Sequence, residues 1–202
     1  IFPDRAKLML LGIEDEEYRH RTIDCLFSCL FSRIWDNVYG FKMNTIKEIA
    51  LFEPLVDVVP ETQQITDECC IFVGMAEGAT KELNINTVKK EDLDFTAPIR
   101  LRAQYSEYLH ALVGYFDIFF PGKEVSFSTG PSSRETHWKQ TVFYLREKMW
   151  VCCDDELVGS IKCSKVKENP RDLDIHLDMT LKQKGHNIHV EQDYRIRWSV
   201  CS

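Results

Sequence analysis

Leu173-Asp174-Ile175-His176-Leu177-Asp178-Met179-Thr180-Leu181 alternates apolar and polar residues without a break. Successive side chains of an extended chain point to opposite sides, so a period of two gathers the apolar residues on one face. The stretch predicts a β-strand with one buried face and one wet face. The same rhythm recurs to either side. Upstream, Ile99 and Leu101 alternate with Arg100 and Arg102, and Val125, Phe127 and Thr129 with Ser126 and Ser128. Downstream, Ile188, Val190, Tyr194, Ile196 and Trp198 belong to one or two closing strands. Pro121-Gly122 and Asn169-Pro170 supply turns between such segments. From Glu53 onward the chain reads as many short strands, with no βαβ alternation and no Gly-rich nucleotide loop. An antiparallel barrel or sandwich fits this pattern, and a barrel is favoured.

One segment breaks the rhythm. Between Glu14 and Val38, the residues Ile23, Leu26, Phe27, Leu30, Phe31, Ile34 and Val38 recur at helical spacing and form one wide apolar stripe. Glu14, Asp15, Glu16 and Glu17 stand at its beginning, where carboxylates suit the positive end of a helix dipole. Gly40 follows and can end it. A stripe this apolar must be covered, either by the chain's own strands or by a partner.

The 202 residues suffice for one domain with a sizeable core and an appendage. Apolar residues make up 44% and charged residues 28%, the balance of an ordinary globular protein rather than a disordered one. Charged residues interrupt every apolar run short of membrane-spanning length. The chain opens Ile1-Phe2-Pro3-Asp4, with no basic then apolar leader, and reads as one entered mid-protein. A net charge of −7 disfavours direct nucleic-acid binding and suits a basic partner or a solvated acidic surface. The eight cysteines show no Cys-x-x-Cys and no zinc spacing, with vicinal pairs at Cys69-Cys70 and Cys152-Cys153. His186 and His189 read as surface residues. A reduced, intracellular protein without a metal is the expectation.

Thr136-His137-Trp138-Lys139-Gln140-Thr141-Val142-Phe143-Tyr144-Leu145 is the densest motif in the chain. Ser126-Phe127-Ser128-Thr129-Gly130-Pro131 precedes it, and Asn169-Pro170-Arg171-Asp172-Leu173-Asp174-Ile175 follows. These stretches resemble the His-Trp loop and neighbouring segments of the protein arginine methyltransferases, in the half that does not bind the methyl donor. Further matches stand in the same order. They are Ile1-Phe2-Pro3-Asp4-Arg5-Ala6, Ile13-Glu14-Asp15, Trp35-Asp36-Asn37-Val38-Tyr39-Gly40-Phe41, and Glu53-Pro54-Leu55-Val56-Asp57-Val58-Val59. Glu91-Asp92-Leu93-Asp94-Phe95, His110 to Ile118 and Asp193-Tyr194-Arg195-Ile196-Arg197 continue the series. The chain departs from the family by surplus residues near 24–32 and 72–80. The family's donor-binding motifs and its paired glutamates have no counterpart in it.

The resemblance implies an all-β fold, an antiparallel barrel with a helical dimerisation arm inserted near its N-terminus. Residues 1–14 would start the barrel at the junction to a donor-binding domain. Residues 15–52 would form the arm, and 53–202 the substrate-binding barrel. The arm would dock through Leu26, Phe27, Leu30, Phe31, Ile34, Trp35 and Tyr39. The Thr136-His137-Trp138-Lys139-Gln140-Thr141 form is similar to type I enzymes, which make asymmetric dimethylarginine from S-adenosylmethionine. Histone tails and Gly-Arg-rich RNA-binding proteins would be the substrates, the enzyme a homodimer, and its place the nucleus and cytoplasm. No contact with nucleic acid or membrane is implied.

Methylating a guanidinium is hard because the group is cationic and a poor nucleophile. It must be fixed in line with the donor methyl and must give up a proton. Carried over from the motif, His137 would stand at the mouth of the site as a proton acceptor, and Trp138 would wall the substrate channel with its indole face. As a bare pair the two residues would read as a polar loop histidine and a core aromatic. Gln140 and Thr141 read as strand structure. Asp172, Asp174 and Asp178 could attract basic tails or simply form a solvated strand face. No residue of this chain is assigned to S-adenosylmethionine, so the chain by itself is expected to be inactive. The rival expectation is a stand-alone interaction or regulatory module derived from the family.

Overall fold

The computed structural model describes residues 3–19, 51–71, 83–120 and 126–197. The alternating stretch from Leu173 to Leu181 lies in β10, Leu173–Gln183, with Ile175, Leu177, Met179 and Leu181 buried. It is the second strand of an antiparallel four-stranded sheet in the order β11 (His186–Ile196), β10, β9 (Glu156–Lys165), β5 (Phe95–Arg102). Gly185, at φ 81°, makes the turn between β10 and β11, a backbone conformation that side-chain-bearing residues resist. One strand, not two, spans Ile188 to Ile196. Trp198 lies outside the described residues.

The larger sheet has seven strands, all antiparallel. Its path runs β2 (Leu55–Asp57), β8 (Gln140–Val151), β6 (Glu107–Phe119), β1 (Arg5–Ile13), β3 (Cys69–Cys70). β4 (Leu83–Asn84) pairs with β1, and β7 (Ser126–Ser128) with β6. Between the two sheets lies a core that includes Leu10, Leu101, Leu109, Leu145, Leu157, Leu177, Met179 and Tyr194. A second cluster, with Leu11, Ile13, Leu51, Val59, Val113, Val142 and Tyr144, covers part of the other face. The middle of the larger sheet is therefore buried on both sides. That is why Leu109 to Val113 form an unbroken buried run instead of alternating.

The expected barrel appears here as two antiparallel sheets, without a closed ladder among the described residues. Along one side, residues 65–67 join them by backbone bonds. Ile65 N–H donates to Gly12 O, Gln104 N–H to Ile65 O, and Asp67 N–H to Arg102 O. Along the other side β8 faces β11, and side chains of β11 replace the missing backbone ladder. The physical reason is a loss of register in β8. Leu109 pairs with Met149 but Ala111 with Tyr144, so Leu145 to Lys148 leave the ladder.

Of the expected arm, residues 15–19 and 51–52 are described. They include α1, Glu16–Tyr18, with Asp15 as N-cap accepting the Tyr18 N–H at 3.2 Å. The stripe positions Leu26, Phe27, Leu30, Phe31, Ile34, Trp35 and Tyr39 lie outside the described residues, as does the surplus at 72–80.

Candidate functional site

The entry to β8 decides where the His-Trp pair stands. Lys139 has φ 57°, and its N–H donates to Thr136 O at 3.3 Å. This left-handed residue reverses the chain, leaving His137 and Trp138 on the outside and turning Gln140 into the sheet. Gln140 is buried. Its Oε1 accepts the Val59 N–H at 2.8 Å, and its Nε2 donates to Thr129 O at 2.5 Å. Buried Thr129 continues the chain of bonds, its Oγ1 lying 3.0 Å from both the N and the O of Phe116. Outside, Lys139 Nζ meets Asp57 Oδ1 at 3.0 Å. The hydrogen bond from Lys139, then that from the Val58 N–H, holds the Asp57 carboxyl below the usual carboxylate range. Exposed pairs of this kind contribute about 0–1 kcal/mol, whereas leaving buried amide partners unsatisfied costs about 1–3 kcal/mol. Gln140 is thus the main clamp on the loop, and the Lys139 pair trims it.

Trp138 is 50% exposed and yet fixed by rings. It stacks on Phe127 with centroids 5.7 Å apart and planes 18° apart, and Phe116 meets it edge-on at 6.1 Å. The His137 ring lies 4.0 Å from the indole. Phe127, His137 and Trp138, with Ser126, Ser128, Arg134, Glu135 and Thr136, line an open recess of about 810 Å³. Thr136 Oγ1 is buried there without a hydrogen-bond partner among the described residues. A large, half-exposed aromatic held by neighbouring rings can contact a flat cation along its exposed part. An imidazole beside it can take a proton.

Residues 4–184 match the arginine methyltransferase oligomerization subdomain. This chain belongs to the protein arginine methyltransferase family. Over 199 residues it is 42% identical to "Protein arginine N-methyltransferase 1" of Chlamydomonas reinhardtii, covering 98% of the chain and 52% of that protein. It is 41% identical to "Protein arginine N-methyltransferase 1.1" of Arabidopsis thaliana, covering 46% of that protein. Among solved structures it superposes on the Trypanosoma brucei PRMT1 enzyme-prozyme heterotetrameric complex with AdoHcy. The TM-score is 0.82 at 35% identity, over 97% of this chain and 57% of that one. Arabidopsis thaliana protein arginine methyltransferase 10, at 19% identity and a TM-score of 0.76, shares the fold. The chain spans about half the length of the curated relatives it matches.

The structure brings the two sequence-derived site residues, His137 and Trp138, into one recess. Gln140, read as strand structure, is the first residue of β8 and also the clamp beneath that recess. Sequence reasoning missed a second constellation around Arg19, His110 and Gln192, all three buried polar residues. Gln192 had a signal. It occupies the one polar position in the apolar rhythm Ile188, Val190, Tyr194, Ile196.

Proposed function

We propose that this chain is the substrate-facing and oligomerisation half of a type I protein arginine N-methyltransferase. The family match over residues 4–184, together with the ring-braced Trp138 in its open recess, carries the reading. In this reading residues 1–14 and 53–202 form the family's barrel and residues 15–52 its dimerisation arm, with the complete enzyme a homodimer. The substrates are arginines of histone tails and of Gly-Arg-rich RNA-binding proteins, and the enzyme works in nucleus and cytoplasm.

S-adenosylmethionine would supply an electrophilic methyl group. Among the described residues the His-Trp recess offers no Gly-rich turn opening onto a helix and no pair of carboxylates for a guanidinium. These residues do not fit the donor, and it is assigned to the other half of the enzyme. What this chain contributes is the approach of the substrate. The exposed part of the Trp138 indole lies along the path of the guanidinium and narrows it. His137 lies against the indole, and no hydrogen bond ties its ring nitrogens among the described residues. One of them accepts the proton that the guanidinium sheds as its nitrogen gains a methyl. The Gln140 clamp keeps both rings at a fixed height over the sheet.

The test is methyl transfer by the complete protein. Incubated with labelled donor and a Gly-Arg-rich peptide, it should yield asymmetric dimethylarginine in the acid hydrolysate. A product that is only symmetric, or no labelled arginine at all, would overturn the assignment.

A further inference from the structure

The five described cysteines stand in three environments. Cys163, on β9, lies in the core, where burial pushes its thiol up to about 11 and keeps it protonated. Cys69 and Cys70 are adjacent, but they lie in β3, where successive side chains point to opposite faces. The strand keeps those two thiols apart. Cys152 and Cys153 are also adjacent, and both are exposed. They follow Val151, the last residue of β8, so the alternation of the strand has ended and the turn into β9 begins.

That turn is pinned from several sides. Asp155 N–H donates to Cys152 O at 3.0 Å, and Cys152 N–H donates back to Asp155 Oδ2 at 2.8 Å. Between them Asp154 has φ 72°, a backbone conformation that few residues other than glycine adopt. The segment 103–106 holds it there. Asp154 N–H donates to Ala103 O, and Ala103 N–H donates to Asp155 O, both at 2.9 Å. Cys153 N–H donates to Ser106 Oγ at 2.9 Å, and Gln183 Nε2 donates to Asp155 Oδ2 at 2.7 Å. The Cys153 thiol rests on Gln104 O at 3.3 Å, while the Cys152 thiol makes no hydrogen bond among the described residues. The backbone is fixed and both sulfurs are accessible.

Such a pair favours a bridging atom over a direct disulfide. Consecutive Cα atoms lie about 3.8 Å apart across a trans peptide, whereas unstrained disulfides span about 4.4–6.8 Å. Closing an S–S bond would distort the peptide, and the pinned turn resists that. An atom inserted between the sulfurs enlarges the ring and removes the demand. We propose that Cys152 and Cys153 form a dithiol site for monosubstituted trivalent arsenicals, whose soft arsenic carries two exchangeable oxygen ligands. Each thiol gives its proton to an oxygen that leaves arsenic as water. Two As–S bonds replace the As–O bonds and arsenic stays trivalent, so the step needs no oxidant or reductant. The site lies at the end of β8 opposite the His-Trp recess and does not depend on the methyltransferase reading.

The experiment incubates the folded, complete protein with phenylarsine oxide and excess glutathione, a competing monothiol, and then digests it with trypsin. The fragment Met149–Lys162 contains no cysteine besides Cys152 and Cys153, so its mass reports the site directly. Wild type and Cys69→Ser should carry one phenylarsenic group on that fragment, which the dithiol dimercaprol removes. Cys152→Ser and Cys153→Ser each keep one thiol and should lose the group to glutathione; if one of them fails to fold, the other decides. Occupancy of the fragment should also require about tenfold less arsenical in the folded protein than in the free 149–162 peptide, which must order its turn on binding. A bare fragment from treated wild type would overturn the proposal. So would a glutathione-resistant group on either single variant, equal occupancy in protein and peptide, or a fragment that closes as a disulfide instead.

Discussion

Trp138 lies flat against Phe127, ring on ring at 5.7 Å, so the wall of the recess is braced by a strand that contributes only three residues to the sheet. Stacked aromatic pairs are worth about 0.5–1.5 kcal/mol beyond their burial. Phe127→Leu should therefore free the indole without unfolding the sheets. Trp138 emission should shift to the red and become more accessible to acrylamide, read against a Trp138→Phe control. Identical quenching in Phe127→Leu and wild type would mean that the stack does not hold the ring.

The two supports under the loop should differ in size. Gln140→Leu leaves the Val59 N–H and the Thr129 carbonyl buried without their partners. It should cost about 1–3 kcal/mol of unfolding free energy. Lys139→Ala breaks an exposed pair and should cost about 0–1 kcal/mol. Urea denaturation of the two variants makes the comparison, and the reverse order would contradict the assignment of Gln140 as the clamp.

Acid should weaken the fold partly through two carboxylates. The Lys148 hydrogen bond, opposed by desolvation and aided by His110, holds Glu16 below its ordinary range, and Lys139 does the same for Asp57. A depressed carboxylate contributes stability above its unfolded-state value, and that contribution is lost as pH falls through the lower folded value. Both groups are largely exposed, so each effect is small. Glu16→Gln with Asp57→Asn should make the protein less stable at neutral pH, and the deficit relative to wild type should shrink steadily towards pH about 3. Urea midpoints across that range check it. A deficit that stays constant would show that neither pairing survives in solution.

Much of this architecture was legible because it is local. The alternation at Leu173 to Leu181 placed β10, and Ile99 and Leu101 against Arg100 and Arg102 placed β5. The closing of the sheets was not legible. It depends on how β8 meets β11, and no single-strand pattern reports a register break between Leu109 and Ala111. His137 and Trp138 were singled out by motif, and the structure places them side by side in one recess. Their supports were hidden by ordinariness, since Gln140 looked like strand filler and His110 like a polar member of an apolar run. Arg19 sat in a helical pattern, where an arginine suggests a wet face rather than a buried fork.

The chain of residues 1–202, purified alone, should transfer no methyl groups. It should also release no measurable heat on titration with S-adenosylmethionine. Robust turnover by this chain alone would place donor-binding residues where the present reading puts only substrate contacts.

The most direct measurement is steady-state methylation by the complete protein carrying His137→Gln or Trp138→Ala, set against wild type from about pH 6 to about pH 9. His137→Gln should lower kcat by about 10²–10⁴-fold, the usual cost of losing a general base, with donor affinity unchanged. Trp138→Ala should chiefly raise KM for the arginine peptide. Wild-type turnover and wild-type KM in both folded variants across that range would contradict the account, leaving the loop a structural element only.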